Sequence, residues 1–521
     1  MRNRFYLSLF LLGMLGILGG MIYAIPDDAR VLVWAVDGPG FPGEQGASNP
    51  GQIALMDGAG NLTPVLDVPA QTSVVEACGE RATSPNGQYY SFYIGRDQGD
   101  VWLMDGQNAP VSLREGATDP LLRSVCLGAG TFRYSPDSSN VGYIAFEPGS
   151  GTADFAAGVL KVYDIASGDF IFTRESVTAF DISNGQAAFL NFFTNDQGEA
   201  DEIAVQLWDE ARNADAEIAT LEPDQPTSEE DRTRCKFDSG SVHFLPNDQL
   251  SVLVGQSCFG GATPRTTWIM YIVDYAGGVN RVQEGVVIDG ITGGYQPFAR
   301  TNIQYITPDQ SGLIFSVPDA ITGNTAALWY APLNDPANPI PLLDRQVVMP
   351  GNTRPDNATP RLSLDGRWLA VVQTTPAPQN NTLKIFDLAD LSLAPISYSA
   401  GSPGDVIQTM AFTADSSRLY LVVGGQNSTE NRLTAINLAD GSNANIERGR
   451  YNNGLVVSPD GDEIVIGDTI RMEDPAQPNY LNTISIAVDP PFSTITTLFE
   501  GATVEEGVVL ERRFAQPLAW R

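Results

Sequence analysis

The chain carries one histidine, His243. Any Ser-His-Asp relay or His-containing zinc site must therefore pass through that residue. It lies in Ser241-Val242-His243-Phe244-Leu245, an alternating stretch with apolar neighbours, which places it as a packed residue of a strand. Gly255-Gln256-Ser257-Cys258-Phe259 approaches the Gly-x-Ser-x-Gly spacing of a nucleophile turn. Phe259 stands where the closing Gly belongs, however, and no helical pattern follows. Two-carboxylate chemistry has 62 acidic residues to draw on, too many for spacing to select a converging pair. The acid-rich stretch Asp196-Gln197-Gly198-Glu199-Ala200-Asp201-Glu202 lacks the alternation of a calcium loop and reads as a solvated loop. Asp57-Gly58-Ala59-Gly60-Asn61 reads as a hairpin turn. No residue is assigned a catalytic, cofactor-binding or metal-binding role on these grounds.

The elements that would position such groups are strands. Ser84-Pro85-Asn86-Gly87, Ser135-Pro136-Asp137-Ser138, Thr307-Pro308-Asp309-Gln310 and Ser458-Pro459-Asp460-Gly461 are copies of one turn phrase, and each precedes an apolar run. Pro sets φ for the second turn position, Asp caps the turn, and Gly takes the positive φ before the next strand. A second strand follows each copy and ends in Asp, as in Val101-Trp102-Leu103-Met104-Asp105. The unit ending in Leu455–Val457, Glu463–Gly467, Thr483–Asp489 and Thr494–Phe499 gives four strands in a meander, one blade of a propeller. Weaker copies begin at Asn184, Asn247, Asp365 and Asp415, and the unit at Asn184 reads as a blade or as an elaboration of its neighbour.

Val31–Val36, Gln52–Asp57 and Leu62–Leu66 form a unit without a first strand, and the stretch up to Trp520 supplies one. The expected fold is all-β, a single closed propeller over 31–521. Eight four-stranded blades are expected, with seven and nine as alternatives, and the N- and C-terminal strands share one blade. Trp34, Trp102, Trp208, Trp268, Trp329 and Trp368 fall inside the strands and are expected in the packing between blades. Pro223–Arg234, Met349–Pro360 and Met472–Tyr480 are expected as rim loops.

Residues 1–25 read as a signal peptide or an N-terminal transmembrane anchor. Arg2 and Arg4 precede a charge-free apolar run from Phe5 to Ile25, and Gly16 and Gly20 have the spacing of helix pairing. Export places the rest of the chain outside the cytoplasm, membrane-anchored or free in a periplasmic or extracellular space, where cysteines oxidise. Cys78, Cys126, Cys235 and Cys258 allow three pairings. Proximity in the chain favours Cys78 with Cys126 and Cys235 with Cys258. The formal charge of -32 opposes nucleic acid as a partner and favours solubility and basic or cationic partners.

With its Ser-Pro-Asp-Gly turns followed by strands ending in Asp, the chain resembles TolB-type and WD-repeat-like bacterial propellers over roughly residues 31–520. The resemblance implies a scaffold that docks a protein or peptide on one rim. The chain itself is expected to be a monomer that meets the membrane only through its N-terminal helix. The pattern of an α/β-hydrolase domain does not follow the repeats, and that of TolB's α/β domain does not precede them. The alternative is a lactonase- or glycosidase-like hydrolase with a carboxylate or divalent-cation site in the central channel. Arg418-Leu419-Tyr420-Leu421 resembles the turn-proximal strand of lactonase propellers. Ser363-Leu364-Asp365-Gly366-Arg367-Trp368 resembles the Asp box of sialidases, with its glycine one position early.

Overall fold

The computed structural model describes residues 31–37, 50–70, 73–76, 83–95, 98–105, 110–113, 122–123, 132–145, 157–196, 198–224, 234–259, 265–289, 304–318, 325–336, 338–348, 360–374, 381–401, 405–425, 431–449, 451–458, 463–471, 480–488, 494–505 and 508–520. The expected leader at 1–25, Cys78, Cys126 and nearly all of the three expected rim loops lie outside these residues.

The architecture is an all-β propeller whose repeating unit is a four-stranded antiparallel meander. One unit runs Phe132–Tyr134, Asn140–Ala145, Gly158–Asp164, Asp169–Val177 from the inner edge outward. The others occupy 73–112, 179–221, 234–289, 304–348, 361–399, 405–449 and 451–500. The unit at Asn184 is thus a meander of its own, tied to its neighbour by the single bridge Ala200–Phe237. A composite unit joins Val31–Asp37, Gly51–Met56 and Leu62–Val68 to Val508–Trp520, whose register against the first strand pairs Val31 with Trp520 and Trp34 with Gln516.

The second strands read as largely apolar runs, with a few buried polar residues such as Ser91 and Ser251, because both faces of the sheet are covered. Side chains alternate between faces, so the two parities of one strand enter different cores. Leu32, Trp34 and Val36 pack with Tyr90 and Phe92, whereas Val31, Val33 and Ala35 pack with Val456, Val465 and Ile484. Ala187 and Phe189 join Phe180 and Leu160, while Ala188 and Leu190 join Val252 and Val254. Leu419, Leu421 and Val423 meet Ile385, and Tyr420 and Val422 meet Ile464. Each fully buried aliphatic side chain contributes about 1.5–3 kcal/mol, so the seams between sheets are the main stabilising layer. Trp34, Trp208, Trp268 and Trp368 are buried in these seams, and Trp102 and Trp329 pack partly buried against them. Glycine permits the closest approach: a Cβ on Gly142 would meet the Phe180 ring at 2.7 Å.

A meander places its first-to-second and third-to-fourth turns at one end and its other connections at the opposite end. The two rims therefore differ. One, the turn rim, carries tight turns such as Ser135–Ser138, and the other, the loop rim, carries the second-to-third and inter-unit connections.

Candidate functional site

Five consecutive units place chemistry-bearing residues on their innermost strands near the turn rim: Arg133, Asp181, His243, Tyr305 and Arg361. The first three converge. Asp181 Oδ2 lies 3.4 Å from His243 Nδ1 and accepts a hydrogen bond from the Phe244 N–H at 3.1 Å. Asp181 Oδ1 lies 3.6 Å from Arg133 Nε. Arg133 Nη2 lies 3.5 Å from His243 Nε2. Guanidinium nitrogens only donate. Nε2 is therefore the acceptor and Nδ1 carries the proton that faces Asp181. Arg133 and His243 are each more than nine-tenths buried.

This geometry has the base and the orienting carboxylate of a hydrolytic triad, but a guanidinium stands where the nucleophile would be. Ser257, the serine of the nucleophile-like stretch, sits inside the strand Gln249–Phe259 and bonds Asp238. Tyr275 borders the same cluster. Burial pushes its phenol up to about 12, with Asp248 and Asp181 adding to the shift.

The carboxylates of the repeat are occupied too. In the turn at Ser135, the buried hydroxyl donates to Asp137 at 2.7 Å and accepts from the Asn140 N–H at 2.9 Å. Thr307 with Asp309 and Gly312, and Ser363 with Asp365 and Trp368, repeat this arrangement. Ser84 does the same with Asn86 and Tyr89, Thr413 accepts from the Arg418 N–H and donates to Asp415, and Ser458 accepts from the Glu463 N–H. Burial favours the neutral carboxyl of Asp137 and Asp415, but hydroxyl and N–H donors outweigh it and hold both below the ordinary range. The Thr307 hydroxyl and the Ser311 N–H hold Asp309 below that range as well. The sequence reading singled out Pro and Asp. The column that the fold buries is the hydroxyl before them, visible in the sequence as Ser or Thr at 84, 135, 307, 363, 413 and 458, with Ile182 and Leu245 in its place in the other two units.

The acids that end the third strands cap the next turn. Asp274 Oδ1 accepts from the Ala276 and Gly278 N–H groups, and Asp164 Oδ1 accepts from that of Ser167. Asp57 caps Ala59 and Asn61 in the expected hairpin. Asp387 accepts two hydrogen bonds from Arg367, at 3.0 and 2.7 Å, which hold it below the ordinary carboxylate range. The Asp-box-like stretch is therefore a repeat turn. Tyr420, of the lactonase-like stretch, is fully buried in a seam. Of the acid-rich stretch, Asp196, Gly198 and Glu199 lie in the turn that the Asn195 N–H closes by donating to the Glu199 carbonyl, and Ala200, Asp201 and Glu202 begin the strand Ala200–Asp209. Among the described residues, no three His, Cys, Asp or Glu side chains are grouped to hold a metal ion. No described helix is long and apolar enough to cross a membrane.

Of the four cysteines, Cys235 and Cys258 form a disulfide between directly paired positions of neighbouring strands. Gln256 links the bridge to Asp224, which pairs with Arg281 at 2.7 Å.

No protein-family model matches the sequence, and no curated protein matches it. Solved structures do. Oligopeptidase B from Leishmania major matches at 10% identity and a TM-score of 0.40, with 80% of this chain covered. This chain spans 54% of that protein. The β-propeller domain of the Trilobed protease from Pyrococcus furiosus matches at 13% identity and TM-score 0.31, over 73% of this chain and 98% of that one. TolB from Acinetobacter baumannii matches at 13% identity and TM-score 0.25, over 73% and 81%. These likenesses assign no residue a role, and the fold stands on the strand pairing above.

Proposed function

We propose that the protein is a non-enzymatic extracytoplasmic propeller that binds a protein or peptide on one rim. The observation that carries this reading is the Arg133–Asp181–His243 cluster. The chain's one imidazole is walled in by a guanidinium and spent on bracing three blades, which leaves it no substrate proton to take. The turn carboxylates are likewise committed to hydrogen bonds within their own turns. A rigid frame that presents loops is the role left to such a molecule. The disulfide supports placement in an oxidising space.

The frame itself we read as a closed ring of nine blades, formed by the eight meanders between 73 and 500 and the composite unit. Apolar seams join consecutive units all the way round, and the seam of Val31 and Val33 with Val456 and Ile484 supplies the closing one.

Photo-crosslinkers placed in native cells on exposed residues of each rim, Asp309 on the turn rim and Phe193 on the loop rim, test the binding role. A discrete protein adduct from one rim is expected. Hydrolysis of a lactone or glycoside by the purified chain, abolished by H243Q or D181N, would overturn the reading.

A further inference from the structure

Among the described residues, Leu393 and Ile340 are the most exposed of the large apolar side chains, at 57% and 53% of their full surface. They belong to neighbouring units and stand at the same rim. Ile340 opens the fourth strand of the unit at 304–348, and Leu393 lies in the third-to-fourth turn of the unit at 361–399, so both are on the turn rim. Strand register fixes the faces. Tyr305, Ile314, Tyr330 and Ile340 pair in one row across the first unit. Tyr305 and Ile314 of that row are buried against Leu369 and Phe386 of the second unit, so Ile340 is on the face turned toward it. Leu362 pairs with Leu369, and Leu369 with Phe386, so Leu362 faces back. Tyr330 and Leu342 from one sheet and Leu362 and Leu391 from the other pack against this same buried cluster and stay partly exposed. Leu391 and Leu393 share one turn, in which the Leu393 N–H donates to the Asp390 carbonyl. The seam between the two sheets therefore opens at the turn rim in an apolar strip.

The turns that flank this strip are acidic. Asp309 and Asp335 belong to the two turns of the first unit, Asp365 and Asp390 to those of the second, and all four are exposed. Arg367 is the one basic residue in these four turns, and it is engaged with Asp387 at 2.7 Å. An apolar strip between acidic turns selects a partner that brings apolar and basic side chains together. The same acids oppose a second copy of this chain, whose formal charge is -32.

We propose that the turn-rim end of this seam docks an apolar and basic segment of a protein partner, with Ile340, Leu391 and Leu393 as its apolar contacts and Asp309, Asp335, Asp365 and Asp390 as the charges that attract it. The site rests on the rim-binding reading and specifies its rim and its chemistry. Pro336, Pro339 and Pro341 fix the backbone that leads into and out of Ile340, which lowers the cost of ordering the contact.

The test is fluorescence anisotropy on the full-length protein. The probe is a labelled twelve-residue peptide of alternating arginine and leucine. Two counterparts serve as controls, one with serine for leucine and one with glutamate for arginine. The arginine–leucine peptide is expected to bind at least roughly tenfold more tightly than either control. I340A and L391A are each expected to weaken that binding roughly tenfold, whereas F193A, on the loop rim, leaves it unchanged. D335N/D390N is expected to weaken it and to flatten its dependence on salt. Thermal unfolding separates loss of the site from loss of the fold, and I340A, at an exposed position, decides the outcome if L391A destabilises. Binding indifferent to I340A, binding weakened equally by F193A, equal binding of either control peptide, or no binding at all overturns the proposal. Failure here with a crosslinked partner retained elsewhere on a rim leaves the scaffold reading standing. Absence of any protein adduct from either rim removes both.

Discussion

At the residue scale the chain spends its polar groups on order. Ser135, Thr307 and Ser363 are buried hydroxyls that donate and accept at once, and removing one leaves a buried N–H without its acceptor. S363A is expected to cost about 1–3 kcal/mol by urea denaturation, and S363T to recover most of it. The carboxyls of Asp137, Asp309, Asp387 and Asp415 lie below their unfolded values. Their stabilisation is present above the unfolded value near 4 and is lost as pH falls through the folded ones. Denaturation midpoints should therefore be level between about pH 5 and 7 and decline below about pH 4. Tyr275 acts in the opposite sense. Its phenol is raised to about 12, so its contribution holds below the unfolded value near 10 and disappears between there and 12. Y275F should blunt that alkaline loss. Asp181 faces a buried guanidinium, and D181A is expected to destabilise by about 3 kcal/mol, because it removes a carboxylate from beside a buried charge.

At the element scale the turns are the regular feature. The residue at the fourth turn position has a positive φ in every described copy: Gly87 at 70°, Gly366 at 73°, but also Gln310 at 58° and Ser416 at 55°. Only glycine adopts that region without cost. Q310G is therefore expected to stabilise by about 0.5–1 kcal/mol, and G366A to destabilise by a similar amount, both read from thermal unfolding. A backbone bond then stitches the two turns of a unit together. Ile165, Glu210, Tyr275, Leu333, Leu388 and Leu438 each donate to a carbonyl in or just after the unit's first turn. The units at Gly185 and Asp248 keep this bond without the Ser-Pro-Asp phrase, which is why their repeats were faint in sequence while their backbone geometry is the same.

The whole molecule depends on a strand pairing between residues nearly the full chain apart. Val31–Asp37 has Gly51–Met56 on one side and Val508–Trp520 on the other. A chain cut before Val508 would expose one edge of a strand whose six residues Val31–Val36 are buried. Such a chain should lose its single cooperative transition and associate, as measured by size-exclusion chromatography and denaturation.

The repeating unit was legible from local pattern alone. Alternation, turn chemistry and strand-ending acids are local, and they located the four-stranded meander and its seam tryptophans, whereas for the cysteines proximity favoured Cys235 with Cys258 and the structure decided it. Local pattern could not locate what depends on where the units stand around the axis. Arg133, Asp181 and His243 are separated by dozens of residues and share no spacing, yet the same inner-strand position in three successive sheets brings them together. Ile340 and Leu391 read as ordinary apolar residues, and only tertiary structure shows that they lie at the same end of two facing sheets. Local backbone preference acts over a few residues, whereas side-chain convergence and exposure are set by packing between sheets that the chain visits far apart.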